Sequence, residues 1–278
     1  MQLCINAVTS LLDNALKEDL GINGDITSEA IIKANKQVDF QINAREQMQL
    51  CGIIIAKYYF EKYSNIKFQK HHNDGEKIKK GDTIISGTGS AKELLMLERI
   101  ILNFMQHMSG ISTLTNNYVE KISHTKAKIY DTRKTLPTLR AIQKYAVRCG
   151  KGYNHRLTLD GSIMIKDNHI AICGNLKSAI HLAKQHLPHY VKIEVECDNL
   201  QQVQDALNEK VDIIMLDNME LQQIRQAVKL VNGNAIIEAS GGVSIDKVKN
   251  IAEAGVDVIS VGKLTHSALA TDIGLDIL

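Results

Sequence analysis

Two patterns of apolar spacing divide the chain. In the first part, Val8, Leu11, Leu12, Ala15, Leu16 and Leu20 recur at helical intervals, which predicts an amphipathic helix over residues 6–20. GDITS (24–28) predicts a turn, and Val38–Ile42 alternates apolar and polar positions as a half-buried strand of an antiparallel sheet does. Residues 51–63 read as a helix, and the glycine-punctuated stretch 73–87 as tight β-structure. From Ser90 to Lys121 the positions Leu94, Leu95, Leu97, Ile101, Leu102, Phe104, Met105 and Met108 predict a long helix, or two helices joined at Ser109-Gly110.

Beyond residue 125 the pattern changes. Short β-branched runs (IYDT, SIMIK, VKIEVE, VDIIML, AIIEAS and VDVISV) alternate with helical segments, the later ones at about 175–187, 199–209, 219–231 and 245–254. Strand and helix in turn predict βαβ units and a parallel sheet. Glu196, Asp217, Ser240 and Ser260 succeed one another at 20 to 23 residues, room for one helix and tight turns, so closure towards a barrel is expected.

The carboxyl end of each run carries the chemistry. These ends bear Arg133 and Lys134, Lys166, Glu196, Asp217, Ser240-Gly241-Gly242 and Ser260-Val261-Gly262. Parallel α/β folds build their sites on the carboxyl ends of the strands, where the loops converge. Any one of these residues could be a helix cap, but six polar ends in succession point to one mouth.

Composition narrows the ligand. The 278 residues are 44% hydrophobic, enough for a sizeable core, and 33 basic residues nearly balance 31 acidic ones for a net charge of +2. That balance excludes the usual electrostatic footprint of a nucleic-acid binder. The positive charge is nevertheless gathered: residues 131–169 hold eight Lys or Arg against three acids, so the rest of the chain is close to −3. Turn residues and the apolar run Ile163-Met164-Ile165 interrupt the cations, which favours a folded anion pocket over a solvated basic face. Five cysteines without a C-x-x-C pair indicate neither a zinc cluster nor a disulfide framework, in keeping with a reducing cytosol. No apolar run approaches the roughly 18 residues that span a membrane, and the early acids at 13, 18 and 19 are unlike a secretory signal. The KKGD at 79–82 is superficially like a biotinyl or lipoyl carrier, but no lysine stands at a hairpin tip there.

In the expected mouth, Arg133, Lys134, Arg156 and Lys166 face Glu196 and Asp217, which suits a ligand with several negative charges. The two carboxylates serve either acid–base catalysis or the binding of a divalent cation and sugar hydroxyls. Without clustered histidines the second is favoured, Mg2+ arriving with substrate phosphates. ASGGVS (239–244) and SVGKLT (260–265) each precede a helix and leave backbone N–H groups for a phosphate. His155 and His169 admit either a ligand role or a structural one, and Arg99, alone on its helix, reads as a surface residue.

DTRKT, LR, KYAVRCG, NHR and IKDNH, in that order between Tyr130 and Ile170, resemble the signature of the quinolinate phosphoribosyltransferases. EDLG (18–21) with GDITS (24–28), the 98–113 segment, EVE (194–196), MLDN (215–218), EASGG (238–242) and ISVG (259–262) with His266 extend the resemblance over essentially the whole chain. It implies an incomplete, open parallel α/β barrel (106–265) and an N-terminal α/β sandwich domain (1–105) joined by the tail 266–278. The implied activity is phosphoribosyl transfer from phosphoribosyl pyrophosphate (PRPP) to quinolinate, with decarboxylation. Arg133, His155, Arg156 and Lys166 would hold the quinolinate carboxylates, with Thr132 beside them and Arg99 contributed across a homodimer interface. Lys134 and Lys166 would face PRPP, and Glu196 and Asp217 would bind the ribose and Mg2+. Ser240, Gly241, Gly242, Ser260, Val261 and Gly262 would cradle the 5′-phosphate near His266. A related transferase for another acidic base and a non-catalytic phosphate-sugar sensor are the alternatives. Leu136 and Thr138 replace small residues of the family pattern, and Lys151 stands in a turn that is otherwise glycine-rich, which bears on loop rigidity.

Overall fold

The computed structural model describes residues 3–63 and 65–278. In chain order its elements are α1 (Thr9–Leu20), α2 (Ile26–Ile31), β1 (Gln37–Ala44), β2 (Met48–Gln49), α3 (Ile53–Lys62), β3 (Ile66–Lys70), β4 (Lys77–Ile78), β5 (Thr83–Ser90) and α4 (Ala91–Lys121). Then come β6 (Lys128–Tyr130), α5 (Arg140–Cys149), β7 (Ile163–Ile165), α6 (Asp167–Cys173), α7 (Leu176–His186), β8 (Ile193–Cys197), α8 (Leu200–Asn208), β9 (Ile213–Asp217), α9 (Leu221–Val231), β10 (Ile236–Ser240), α10 (Val248–Glu253), β11 (Val258–Ser260), α11 (Lys263–His266) and β12 (Ile273–Ile277).

Two compact units divide these elements. The first takes the chain up to Asn116, then Thr135–Lys151, then Leu264–Leu278. Its antiparallel sheet has the order β12-β1-β5-β3, so the C-terminal tail joins the N-terminal strands as an edge. Phe40 and Ile42 alternate with polar positions on β1 and are fully buried, and Phe60 of α3 bridges Phe40 and Phe68 at centroid distances of 5.5 and 5.3 Å. Tyr59 donates its hydroxyl to the Leu12 carbonyl at 2.7 Å, tying α3 to α1.

Local expectations fail in this unit where capping or packing decides. GDITS does not stay a turn, because Asp25 accepts the Ser28 N–H at 3.0 Å and starts α2 as its N-cap. Ser109-Gly110 does not break α4, which runs unbroken for 31 residues. Gly110 instead lets the chain at Leu269 approach, since a Cβ there would lie 2.0 Å from the Leu269 carbonyl oxygen. Helix α5 lies in the cation-rich stretch, and Ile142, Ala146 and Val147 form its buried stripe. The family departures Thr138 and Lys151 both adopt φ of 66°, a left-handed conformation that strains a residue bearing a Cβ, most of all a β-branched one.

The second unit comprises Asn117–Lys134 and Gly152–Lys263. All six expected strands form, in one parallel sheet of order β6-β11-β10-β9-β8-β7. Helices α7, α8 and α9 bury Ile180, Val203, Ala206, Ile224 and Ala227. The barrel does not close: β7 is one edge of the sheet, and β6 at the other takes only a one-residue parallel bridge between Tyr130 and Tyr153. Among the described residues no helix is long and apolar enough to cross a membrane.

Candidate active site

Because the six strands run parallel, their carboxyl ends share one rim, and the second unit has a cavity of about 450 Å³ there. Thr132, Arg133 and Lys134 enter from β6, Lys166 from β7, Glu196 from β8, Asp217 from β9, Ser240, Gly241 and Gly242 from β10, and Ser260 from β11. His155 and Arg156 reach it from the irregular segment between Gly152 and β7.

The electrostatics are those of an anion site. Burial lowers the Arg156 guanidinium from its ordinary value and the nearby Arg133 charge lowers it further, with Glu194 partly offsetting both. Two guanidinium groups held this close favour an anion between or above them. Arg156 is itself anchored, donating through Nη1 to the Ser162 carbonyl at 2.9 Å and through Nη2 to Met164 Sδ at 3.6 Å. Thr132 Oγ1 accepts the Lys134 N–H at 3.0 Å, so its hydroxyl shapes the turn that presents Arg133 and Lys134. Lys166 pairs with Glu196, and Asp217 accepts Asn218 Nδ2 at 2.7 Å.

The glycine ends are built for close approach. Gly241 and Gly242 have φ of 88° and 57°, and Gly241 backs directly onto Asn218. The next strand end contributes less: Val261 is buried with its N–H given to the Tyr130 carbonyl at 2.9 Å, and Ser260 Oγ donates to Glu238 Oε1 at 2.5 Å. Neither Val261 nor Gly262 lines the cavity. Arg99 and His266 belong to the first unit, both exposed, with His266 Nδ1 2.6 Å from Ser267 Oγ. His169 takes the structural role, its Nδ1 accepting the Lys166 N–H at 2.9 Å at the start of α6.

Residues that strand ends alone do not mark complete the pocket. Met164, Met215, Asn218 and Glu238 line it, and Glu194 lies beneath His155. Four of them share one signal: Met164, Glu194, Met215 and Glu238 each stand two positions before a recognised end (Lys166, Glu196, Asp217, Ser240). Side chains on a strand alternate faces, so residues two apart share one. His155 Nε2 lies 3.2 Å from Glu194 Oε2 and 3.6 Å from Glu238 Oε2, and its Nδ1 faces the Arg156 N–H at 2.8 Å. Burial alone would lower the imidazole, but the two carboxylates lift it to about 9. The Arg156 N–H opposes that rise, because a doubly protonated ring has no lone pair to receive it. The arrangement that satisfies both sides is a ring protonated on Nε2. Burial raises the Glu194 carboxyl, against the pull of His155.

The matching family models are the quinolinate phosphoribosyl transferase N-terminal domain over residues 25–109 and its C-terminal domain over 111–276. The chain is 44% identical to the probable nicotinate-nucleotide pyrophosphorylase (carboxylating) of Methanocaldococcus jannaschii, covering 96% of each. It is 38% identical to the nicotinate-nucleotide pyrophosphorylase (carboxylating) of Mycobacterium leprae, covering 98% of each. The crystal structure of the nicotinate-nucleotide pyrophosphorylase from Ehrlichia chaffeensis superposes with a TM-score of 0.96 at 45% identity over 100% of both chains.

Proposed function

The chain belongs to the quinolinate phosphoribosyltransferase family, and we propose that it transfers the phosphoribosyl group of PRPP to quinolinate, releasing pyrophosphate and carbon dioxide and forming nicotinate mononucleotide. The observation that carries this is the composition of one cavity: Arg133, Lys134, Arg156 and Lys166 beside Glu196 and Asp217, with the Gly241-Gly242 turn at the same rim. The cations match a ring with two carboxylates and a phosphorylated sugar, and the Met164 and Met215 side chains supply apolar surface for a planar ring.

Glu196 and Asp217 offer only carboxylate oxygens, which fits Mg2+ carried in by PRPP, and these two residues would hold it together with the ribose hydroxyls. When bound, Mg2+ supplies charge neutralisation for the departing pyrophosphate. Glu196 and Asp217 stabilise the cationic character that develops at ribose C1 as the C1–O bond breaks. Arg133, Arg156 and Lys166 hold the quinolinate carboxylates so that the ring nitrogen faces C1, and positioning supplies much of the rate. Once the nitrogen is alkylated, the positive ring nitrogen stabilises the carbanion left at C2 as carbon dioxide departs. A proton from Lys134 or Lys166 then fills C2.

The working unit on this proposal is a homodimer or larger homo-oligomer, and Arg99 of the partner subunit adds a further cation to the quinolinate site. What supports this is its place on α4 as an exposed arginine outside the second unit. A cytosolic setting is supported by five free cysteines and the lack of a membrane-crossing helix among the described residues.

The deciding assay incubates the protein with quinolinate, PRPP and Mg2+ and tracks carbon dioxide and nicotinate mononucleotide. Both should appear in equal amounts. Turnover of nicotinate without turnover of quinolinate would sink the assignment.

A further inference from the structure

Two of the expected quinolinate ligands, His155 and Arg156, sit on a stretch with no regular secondary structure, from Asn154 to Ser162. Such a stretch keeps an arginine in place only if something pins it, because fixing the backbone costs conformational entropy. Besides the Arg156 side-chain contacts with Ser162 and Met164, the pins are three carboxylates on or just beyond three strands. Asp131, at the end of β6, accepts the His155 N–H at 2.8 Å on Oδ1 and Asn154 Nδ2 at 2.5 Å on Oδ2. Glu194 of β8 and Glu238 of β10 meet His155 Nε2 from below, with side chains only 1% and 3% exposed. Glu238 is held in turn by Ser260 Oγ of β11.

A glutamate in the middle of a buried parallel strand has no packing reason to be there, and a buried carboxylate is costly unless paired. Here two converge on one imidazole. The same ring receives the Arg156 N–H on Nδ1, so both ring nitrogens are engaged within the protein. His155 is therefore a bracket between the strands and the main chain of Arg156 rather than a hydrogen-bond donor to the ligand. The other charged groups of this neighbourhood are Arg133, Lys134, Lys166, Glu196 and Asp217, which line the cavity, and Asp131, which accepts the His155 N–H.

We propose that Glu194 and Glu238 are positioning residues for quinolinate: through His155 they fix the main chain at 155–156 and so hold Arg156 in place for a substrate carboxylate. This rests on the assigned activity, and it gives the two glutamates and the histidine a part that no strand-end motif announces.

The test separates hydrogen bonding from charge and from folding. Glu194→Met and Glu238→Met remove the acceptor at near-constant volume, while Glu194→Gln and Glu238→Gln keep a carbonyl for Nε2–H. The Met variants should raise KM for quinolinate about tenfold or more, the loss of a hydrogen bond to a charged or polarised group. KM for PRPP should stay within about twofold, and the Gln variants should recover most of the loss. Folded Met variants with an unmoved quinolinate KM, or a parallel rise in both KM values, would overturn the proposal.

Should a Met variant fail to fold, the wild-type protein decides. With side-chain 15N labelling, adding quinolinate should shift the Arg156 guanidinium resonances and leave those of the His155 ring in place. Movement of the His155 ring nitrogens with saturation would make it a direct ligand and refute the bracket. Wild-type protein that turns over no quinolinate would overturn the assigned activity itself, a result distinct from any of these.

Discussion

Gly241 stands against Asn218 so closely that a Cβ on it would lie 2.3 Å from Asn218 Oδ1 and 2.7 Å from the Asn218 backbone nitrogen. Its φ of 88° adds backbone strain to any side chain. Gly241→Ala must therefore displace the turn proposed to receive the 5′-phosphate. Steady-state kinetics should show KM for PRPP raised at least about tenfold, with a smaller change for quinolinate.

The Arg133 charge lowers the Arg156 guanidinium, so removing Arg133 relieves that repulsion in the free protein while costing the complex a charge-assisted contact. Arg133→Ala should weaken quinolinate binding about a hundredfold or more and leave the far-ultraviolet circular dichroism spectrum unchanged. Near-normal turnover by this variant would remove Arg133 from the site.

If Arg99 acts across a subunit interface, two inactive variants should complement each other. Arg99→Ala and Asp217→Asn chains, each of low activity alone, should regain activity when unfolded together and refolded as a mixture, because a hybrid dimer assembles one site with neither lesion. No recovery in a mixture shown to contain hybrid dimers would count against the shared site.

Gly110→Ala places a methyl where the Leu269 carbonyl oxygen sits 2.0 Å away, and the nearest atoms are backbone rather than a movable side chain. Helix propensity favours alanine by about 1 kcal/mol. Overpacking outweighs it, so a net loss of about 2 kcal/mol is expected, read as a lowered thermal midpoint.

His107 gives stability a pH dependence of defined sign. Burial lowers its imidazole, and its Nε2 lies 2.9 Å from Gln143 Nε2, which can donate only to a bare ring nitrogen. The folded state thus binds this proton less readily than the unfolded chain does. The contribution is fully present above the unfolded value of about 6.5 and is lost as pH falls through the lower folded value. Thermal midpoints should drop between pH 7 and pH 5, and His107→Gln should flatten that part of the profile.

Much of this architecture is written locally. The six strand runs, the helices between them and the polar residues at their ends emerge from periodicity, since a strand buried on both faces must read as a short apolar run. Arg133, Lys166, Glu196, Asp217 and Ser240 are legible in that way because each sits where a run stops. The resemblance of the motifs adds the substrate to that framework. Local spacing does not show what Gly110 or Asp25 will do, because a glycine within a helical pattern reads as a break and an Asp in a turn pattern reads as a turn. Only the carbonyl of Leu269 and the amide of Ser28 reverse those readings.

The amino-acid sequence by itself therefore determined the order of the six parallel strands and the rim of the site, properties set by each segment's own alternation of apolar and polar positions. The tertiary structure alone decided that Thr135–Lys151 groups with the first unit and that His155 is gripped by Glu194 and Glu238. Those outcomes depend on which distant residue faces which, and 83 residues separate Glu238 from His155 in the chain. Burial and charge pairing across the sheet choose that partner, and no local pattern records the choice.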